Sequence, residues 1–448
     1  MKKFVRAVVI VFIVWLGIVL SGVMPRTNAV QKAAQDVLLQ PAPPLGVRNA
    51  FASLWLSSWD VPLAERDAVM QADIAAWAQY RAQSPKPAAS FHSTAQDKYP
   101  AVTRPGAEKT LCQSWSEGCL AQVRADPEIA RQAVAPYALF AQKGQELAQF
   151  DHLSTQLPMS FDVPLPPFSG FANVILTQAA LKAVDGDAAG ALVDTCHFAA
   201  TWRQLRSHTD MLIGDMVGVT YLSSAAQLAA EIQASAPAQT PWPAECDTAF
   251  APLVDREIDQ CAEMRSEYRA YTDVLAPWAS SAEEGNVVAR WLTAHFMNTR
   301  RTAGAMAPSY VVFCGDAALR RNAARKPFAK TELPSLDCAA LEWTFDPVGC
   351  AVQQATLPDY GRYYNRLLDL DARLKTLQTA RWLRTQPQEN LPAALAARPA
   401  NLQTPQQPMV LSDDRQHLTV TLPDLNPNRQ KWVIPLPPPV PPAPPIVN

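Results

Sequence analysis

The sequence predicts a mainly α-helical protein that has an N-terminal transmembrane helix and a small antiparallel β element near its C-terminus. Three observations lead to this fold class. An uncharged apolar run covers residues 7–24, proline is frequent (40 of 448 residues) while glycine is scarce (16), and apolar residues recur at helical spacing until Pro408. Few glycines argue against a glycine-punctuated β-sandwich, whereas many prolines are typical of helices separated by stiff connections.

The overall composition is that of a globular protein with balanced charge. The chain carries 39 Lys and Arg against 41 Asp and Glu, a net charge of −2, and this balance argues against a nucleic-acid partner. Apolar residues make up 48% of the sequence, so a chain of this length can bury a substantial core.

The N-terminus has the pattern of a signal anchor. Three basic residues within positions 1–6 precede the apolar run at 7–24, which would span about 27 Å as a helix, close to the thickness of a bilayer core. By the positive-inside rule, residues 1–6 stay in the cytoplasm and the chain after the anchor crosses the membrane. The alternative is a signal peptide that is cleaved at Thr27-Asn28-Ala29.

Residues 25–400 are predicted to form a helical body whose helices end at prolines. The first helix, at 28–40, stops at Pro41-Ala42-Pro43-Pro44, and the loose stretch at 84–109 is expected to be a surface loop. Helical spacing of apolar residues predicts further helices at 49–59, 63–81, 121–152, 172–184, 188–205, 211–235, 247–274, 284–305 and 351–384.

Two of these helices form the clearest supersecondary pattern. The helices at 172–184 and 188–205 are joined by the turn Asp185-Gly186-Asp187, and both carry alanines that permit close approach. The unit resembles a tetratricopeptide-type (TPR-like) helical hairpin. Stable arrays need about three such units and one is evident here, so the resemblance supports stacked helical hairpins and no family assignment.

The predicted helix at 351–384 has the most regular periodicity. Its apolar side chains follow the 3-4 spacing of a heptad seam over three heptads. Two arrangements fit this seam: it docks on the helical body, or it joins two copies of the chain in a homodimer. Asp369 and Asp371 oppose the seam and are predicted to face solvent. The seam consists of Tyr360, Tyr363, Leu367, Leu370, Leu374 and Leu377.

The periodicity changes after Pro408. Runs rich in β-forming residues at 409–411, 417–422 and 431–434 predict a three-stranded meander within 408–436. The tail at 437–448 is rich in proline and is expected to adopt polyproline II conformation. Such a tail is a spacer, a ligand for an aromatic-lined groove, or a disordered end.

Eight cysteines that follow an export signal suggest disulfide bonds. The shortest intervals give the predicted pairs, Cys112–Cys119 and Cys338–Cys350. Cys196 and Cys261 lie in helical patterns, where a buried reduced thiol is an equal alternative. No CxxC or HxxxH spacing occurs, so neither a metal site nor a cofactor is expected.

The sequence contains none of the common catalytic motifs, such as GxSxG, SxxK, HExxH, the P-loop or GxGxxG. The candidate residues are Arg206, His208, Asp210 and Asp215, because Asp215 lies in an apolar stretch. A carboxylate in that setting is paired, solvent-facing or functional. As the site of a hydrolase, these four side chains would have to converge in one concave pocket.

A basic run is the other local feature of the charged residues. It contains five positive charges within eleven residues, and it is either a solvated loop or a surface for anionic lipid headgroups or an acidic partner. The run consists of Arg320, Arg321, Arg325, Lys326 and Lys330.

Two sequence strings resemble segments of uncharacterised, single-anchor proteobacterial proteins. They are Asn49–Leu56 followed by Trp59–Pro62, and Cys119–Pro127. The resemblance implies a single-pass anchor in the bacterial inner membrane and a periplasmic body, and it implies no activity.

The predicted function is that of a membrane-anchored periplasmic scaffold or adaptor with a protein partner. Surfaces of helical hairpins usually bind peptides or proteins, and such a role requires a concave helical face with exposed aromatic side chains. The alternative function is that of a periplasmic hydrolase with its site near Asp215.

Overall fold

The structure is a computed structural model. It describes residues 28–41, 44–83, 91–106, 108–114, 118–158, 163–280, 299–329, 332–333, 338, 343, 346–356, 359–404, 406–422 and 430–439. The predicted anchor at 7–24 and residues 440–448 of the tail lie outside these ranges. Within them, no helix combines the length and the apolar character that a membrane crossing requires.

Helices make up 62% of the structure, and a three-stranded antiparallel sheet follows them near the C-terminus. The helices are α1 (Ala29–Leu38), α2 (Phe51–Trp55), α3 (Arg66–Ala82), α4 (Cys119–Ala125), α5 (Pro127–Val134), α6 (Ala138–Glu146), α7 (Phe171–Val184), α8 (Ala188–Ser207), α9 (Leu212–Ser235), α10 (Ala244–Ala249), α11 (Cys261–Ser280), α12 (Thr299–Val311), α13 (Asp316–Ala323), α14 (Pro347–Thr356), α15 (Tyr360–Leu383) and α16 (Leu391–Ala396). The strands are β1 (Met409–Leu411), β2 (His417–Thr421) and β3 (Lys431–Pro435).

Helix α9 is the centre of the body because it is buried on most of its circumference. Of its 24 residues, 16 are buried, which is typical of a helix surrounded by other elements. It packs on α7, α8, α15 and β3. Gly218 allows α8 to come close, since a Cβ atom at this position would lie 2.5 Å from the Cβ of Arg206. One apolar core runs from Ala34 to Ile434.

The predicted hairpin is present as α7 and α8. Gly186 in the turn has a φ of 99°, a conformation that glycine adopts without strain. The side chain of Asp187 caps α8 by accepting the N–H of Gly190 at 2.8 Å. Each of the three consecutive helices α7, α8 and α9 packs on the next, so helical stacking around this turn is confirmed.

Two predicted helices are broken where the chain changes direction. The stretch at 121–152 forms α4, α5 and α6, because Asp126 caps α5 by accepting the N–H of Ile129 and Pro127 starts it. The stretch at 351–384 divides into α14 and α15, and Asp359 caps the second of these. The apolar period continues across each break because the successive helices face the same core.

The single helix predicted at 247–274 is wrong. Helix α10 ends at Ala249, residues 250–260 contain one 3-10 turn at Asp255–Glu257, and α11 begins at Cys261. Pro252 has no N–H for a helical hydrogen bond, and it disfavours helical backbone at the residue before it. The N–H of Leu253 donates to the Asp371 carboxylate at 2.8 Å, which satisfies the interrupted backbone.

The predicted surface loop at 84–109 is partly buried. Ser93 and Ala95 are 4% and 0% exposed, because both flank a turn held by the buried carboxylate of Asp73. Asp73 accepts hydrogen bonds from the Trp55 indole at 2.6 Å, the Ser93 hydroxyl at 2.5 Å, and the N–H and hydroxyl of Thr94 at 2.6 Å. A short polar segment is thereby attached to α3.

The predicted β meander is confirmed, with strand order β1-β2-β3 and antiparallel pairing throughout. Leu418 and Val420 of β2 pair with Ile434 and Trp432 of β3, and all four are buried. This face of the sheet lies against α15 and α9.

The heptad seam of α15 faces the protein's own core. Five of the six seam residues are at most 3% exposed in the single chain and Tyr363 is half-buried, so docking on the body is the arrangement that the structure has. The dimer surface proposed for these side chains is therefore covered by the chain itself. The five residues are Tyr360, Leu367, Leu370, Leu374 and Leu377.

Candidate functional site

The structure separates the four predicted catalytic residues into a sealed pair and two side chains that point elsewhere. Arg206, in the last turn of α8, and Asp215, in the first turn of α9, form an ion pair with 2.7 Å between Nε and Oδ1. Both side chains are 1% exposed. A substrate from solvent has no access to this pair.

A buried polar network surrounds the pair at the junction of α8, α9 and α11. Arg206 Nη2 donates to the backbone carbonyl of Glu257 at 2.7 Å, and Gln260 Nε2 donates to Asp215 Oδ2 at 3.5 Å. Glu263, from the first turn of α11, is 4% exposed and adds a second carboxyl group.

Glu263 is the uncompensated acid of this network. Burial raises its pKa well above the ordinary range, and the nearby Asp215 raises that pKa further. Its Oε2 has no hydrogen-bond partner within the described chain. Burial also raises the pKa of Asp215, but the charge of Arg206 opposes this effect. With Glu263 protonated, Arg206 and Asp215 balance each other and the network is neutral.

A second ion pair fixes the irregular segment after α10. Arg203 of α8 binds Glu257 in two places, Nε to Oε1 at 2.7 Å and Nη2 to Oε2 at 2.6 Å. The same guanidinium donates to the backbone carbonyls of residues 248, 249, 251 and 252. Arg203, near the end of α8, therefore holds the backbone of residues 248–252 in place.

His208 and Asp210 do not join the pair. His208 Nδ1 lies 3.1 Å from the carbonyl of Gln204 in its own helix, and Asp210 Oδ1 accepts the N–H of Thr155 at 3.0 Å. Burial raises the pKa of Asp210 to about 6, a shift that the N–H of Thr155 opposes. The four predicted residues thus do not line one pocket, as the hydrolase hypothesis requires.

Sequence reasoning overlooked the polar partners that complete these contacts. Gln260 and Glu263 lie one turn apart on one side of Asp215, yet they follow it by more than forty residues. Asp151 and His152 form a neighbouring pair with 2.8 Å between Oδ1 and Nδ1. The adjacency of Asp151 and His152 in the sequence is the one local feature that could have indicated such a polar pair.

The described part of the basic run is solvated only in part, since Arg320 and Lys326 are exposed whereas Arg321 and Arg325 are half-buried against the body. Arg325 pairs with Asp255 at 2.6 Å and with Asp371 at 3.3 Å, and Arg321 lies 4.0 Å from the ring centre of Phe328. Arg320 and Arg321 belong to α13. Lys330 lies outside the described residues.

The prediction that Asp369 and Asp371 face solvent is also wrong. They are 7% and 3% exposed. Asp371 is buried because Lys375, one turn later, and Arg325 both pair with its carboxylate, at 2.8 and 3.3 Å. The face of α15 opposite the apolar seam is therefore also covered by other parts of the protein at Asp371.

All eight cysteines form disulfide bonds. Cys112–Cys119 and Cys338–Cys350 are the two short-interval pairs expected from the sequence. Cys196–Cys246 joins α8 to α10, and Cys261–Cys314 joins the start of α11 to the segment after α12. Cys196 and Cys261, which the sequence left undecided, are thus oxidised.

An open groove with about 430 Å³ of space accessible to water lies between α4, the C-terminal half of α9 and β3. Exposed Arg124 and His417 contribute polar groups to it. Its described lining has five apolar residues, five polar or charged residues and one glycine, and no Phe, Tyr or Trp side chain of the kind expected of a binding face lines it. The lining residues are Gly118, Leu120, Ala121, Arg124, Gln227, Glu231, Ala234, Ser235, His417, Val433 and Pro435.

Glu231 has a structural role at one wall of this groove. Its two carboxylate oxygens accept the N–H groups of Gly118 and Leu120, both at 2.9 Å, at the N-terminus of α4. A negative charge stabilises that end of a helix. Glu231 is half-buried and both of its oxygens are engaged, whereas Arg124 is exposed, so Arg124 is the more accessible of these two charges in the groove.

No protein family, curated protein or solved structure matches this chain. Within the described residues, no group of His, Cys, Asp or Glu side chains is arranged to hold a metal ion.

Proposed function

We propose that the protein is a membrane-anchored periplasmic adaptor whose TPR-like helical body binds a segment of a protein partner. The groove between α4, α9 and β3 is the observation that carries this proposal. Residues 7–24 form the single inner-membrane span, residues 1–6 are cytoplasmic, and the rest of the chain is periplasmic.

The lining of the groove determines the kind of segment it accepts. Ala121, Ala234, Val433 and Pro435 are small or apolar, and they leave room for apolar side chains of a ligand. Arg124 adds a positive charge. An extended peptide segment with apolar residues and one acidic residue fits this combination of shape and charge.

The disulfides and the start of α1 support the proposed location. Four disulfides in one chain are typical of an oxidising compartment outside the cytoplasm. Asn28 caps α1: its side chain accepts the N–H of Gln31 at 2.8 Å, and its own N–H donates to the Gln31 side chain at 3.0 Å. Cleavage after Ala29 would remove this cap, so the uncleaved anchor is favoured.

The hydrolase alternative loses its support. Its pair Arg206–Asp215 is sealed from solvent, while His208 and Asp210 bind backbone groups elsewhere. Each of these side chains has a structural partner that accounts for its position.

Site-specific photo-crosslinking tests the adaptor proposal. A photoreactive amino acid at Ala121, which is exposed in the groove, is expected to capture a distinct protein from membranes of cells that produce the full chain. The matched control places the same amino acid at Ala78, an exposed alanine of α3 that does not line the groove.

A capture specific to Ala121 that Val433→Arg abolishes, without lowering the unfolding temperature, supports binding in the groove. The same products from Ala121 and Ala78, or no product from Ala121, would contradict the proposal.

A further inference from the structure

The proline-rich tail does not leave the body directly after β3. The N–H of Leu436 donates to the carbonyl of Gln416 at 2.8 Å, which extends the β2–β3 pairing by one bond. Pro437 is buried, Pro438 is half-buried and Pro439 is exposed. The first three tail prolines therefore pass from the interior of the protein to its surface.

Pro437–Pro439 lie along a crevice beside the last turn of α15. Arg384 Nε, immediately after that helix, donates a hydrogen bond to the carbonyl of Pro438 at 3.0 Å. Leu383 and Leu391 provide apolar wall, and the turn before β2 contributes Arg415. The three prolines form one wall of the crevice, which has about 150 Å³ of space accessible to water.

The contacts match the chemistry of a polyproline ligand. A polyproline II segment has no internal hydrogen bonds, so its carbonyl groups remain available to a donor such as Arg384. Proline rings pack against apolar side chains such as Leu383 and Leu391. The restricted backbone of a proline-rich segment loses little conformational entropy on binding. Within the described residues, the chain's own tail places three prolines along this crevice.

We propose that this crevice is a binding site for a proline-rich segment of a partner protein, and that Pro437–Pro439 occupies it as an intramolecular competitor. The crevice adjoins the groove at α4, because Ala234 lines both, but this proposal does not depend on a partner in the groove. Among the described residues, Pro437–Pro439 are held by one arginine hydrogen bond and one buried proline ring, so a proline-rich segment that makes more contacts displaces them.

The test measures peptide binding to the purified full chain in detergent. The probe is a fluorescent peptide with the sequence of residues 435–445, and the control peptide has alanine in place of every proline. The crevice is vacated by combining Pro437→Ser, Pro438→Ser and Pro439→Ser. This triple variant is expected to bind the probe about tenfold more tightly than the wild-type chain, because the competitor is gone.

Arg384→Met added to the triple variant is expected to weaken binding of the probe about tenfold, as the loss of a charge-assisted hydrogen bond does. Arg366→Met, on α15 and away from the crevice, is the matched control and should leave binding unchanged.

Three results would overturn the proposal: no binding of the probe to any form, equal binding to the wild type and the triple variant, or equal binding of the alanine peptide. A wild-type dimer that the triple variant does not form would also overturn it, by assigning the crevice to the tail of a second copy.

Discussion

At the scale of single residues, the surroundings of each buried acid decide what it does. Asp73 is fully buried, and it is satisfied by three side-chain donors and one backbone N–H. Glu263 is nearly as buried, yet one of its oxygens has no partner within the described chain and its pKa is raised. The first side chain organises a turn through four hydrogen bonds, whereas burial of the second favours its neutral form.

Burial of Asp210 has a measurable effect on the pH dependence of stability. Burial raises its pKa in the folded protein to about 6, whereas an unfolded chain has a value of roughly 4. The folded state therefore holds the proton more tightly. The resulting stability is complete below pH 4 and is lost as the pH rises through 6.

We expect Asp210→Asn to leave stability unchanged at pH 4 and to raise the free energy of unfolding by about 1–2 kcal/mol at pH 8, a value reduced for partial exposure. The asparagine oxygen can still accept the N–H of Thr155. Urea unfolding at both pH values measures the effect, with the exposed Asp413→Asn as control. A gain of equal size at both pH values would contradict this explanation.

At the scale of elements, α15 shows how one periodic pattern permits two partners. The heptad spacing correctly indicates a long helix with one apolar face. The partner of that face is not encoded in the spacing: in the folded chain it packs on α9 and β2. The opposite face is also covered, because Arg325 and the N–H of Leu253 bind Asp371.

Leu374→Ala tests whether the seam is core or interface. Leu374 is 0% exposed in the single chain, so we expect the substitution to lower the free energy of unfolding by about 2–5 kcal/mol. The molecular mass in solution should not change. Denaturant unfolding and light scattering measure the two quantities.

The matched control is Leu319→Ala, at a leucine that is 50% exposed, and it should be nearly neutral. A small loss of stability for Leu374→Ala together with a shift from dimer to monomer would instead identify the seam as a dimer interface.

At the scale of the whole molecule, the disulfides divide into two classes. Cys112–Cys119 and Cys338–Cys350 span 7 and 12 residues, whereas Cys196–Cys246 and Cys261–Cys314 span 50 and 53. The long-range pair Cys196–Cys246 links α8 to α10, which packs on α8 after the chain has left α9. Longer closed loops restrict the unfolded chain more strongly.

We therefore expect the double variant Cys196→Ala, Cys246→Ala to lose about 4 kcal/mol of stability, and Cys112→Ala, Cys119→Ala to lose about 2 kcal/mol. Guanidinium unfolding of the two variants against wild type makes the comparison. Both pairs are buried, so the loss of packing is similar in each. Equal losses, or a larger loss for the short loop, would argue against a loop-entropy origin.

The sequence by itself determined the features that depend on near neighbours. Apolar spacing places the helical hairpin at 172–205, alternation places β2, and short intervals point to Cys112–Cys119. These predictions succeed because one turn of helix, one strand or one short loop is governed by residues a few positions apart. The breaks at Pro127 and Pro252 were missed because the apolar period continues across them.

The tertiary structure alone decided what the charged and distant residues do. Arg206 and Asp215 form a sealed pair only because α11 brings Gln260 and Glu263 over them, and Asp371 is buried only because Arg325 reaches it from another element. The pairing of Cys196 with Cys246 and the burial of Pro437 also depend on contacts between distant parts of the chain. The reason is physical: the energy of a charge, a thiol or an apolar face depends on what lies against it, and chain folding brings that neighbour from far along the sequence.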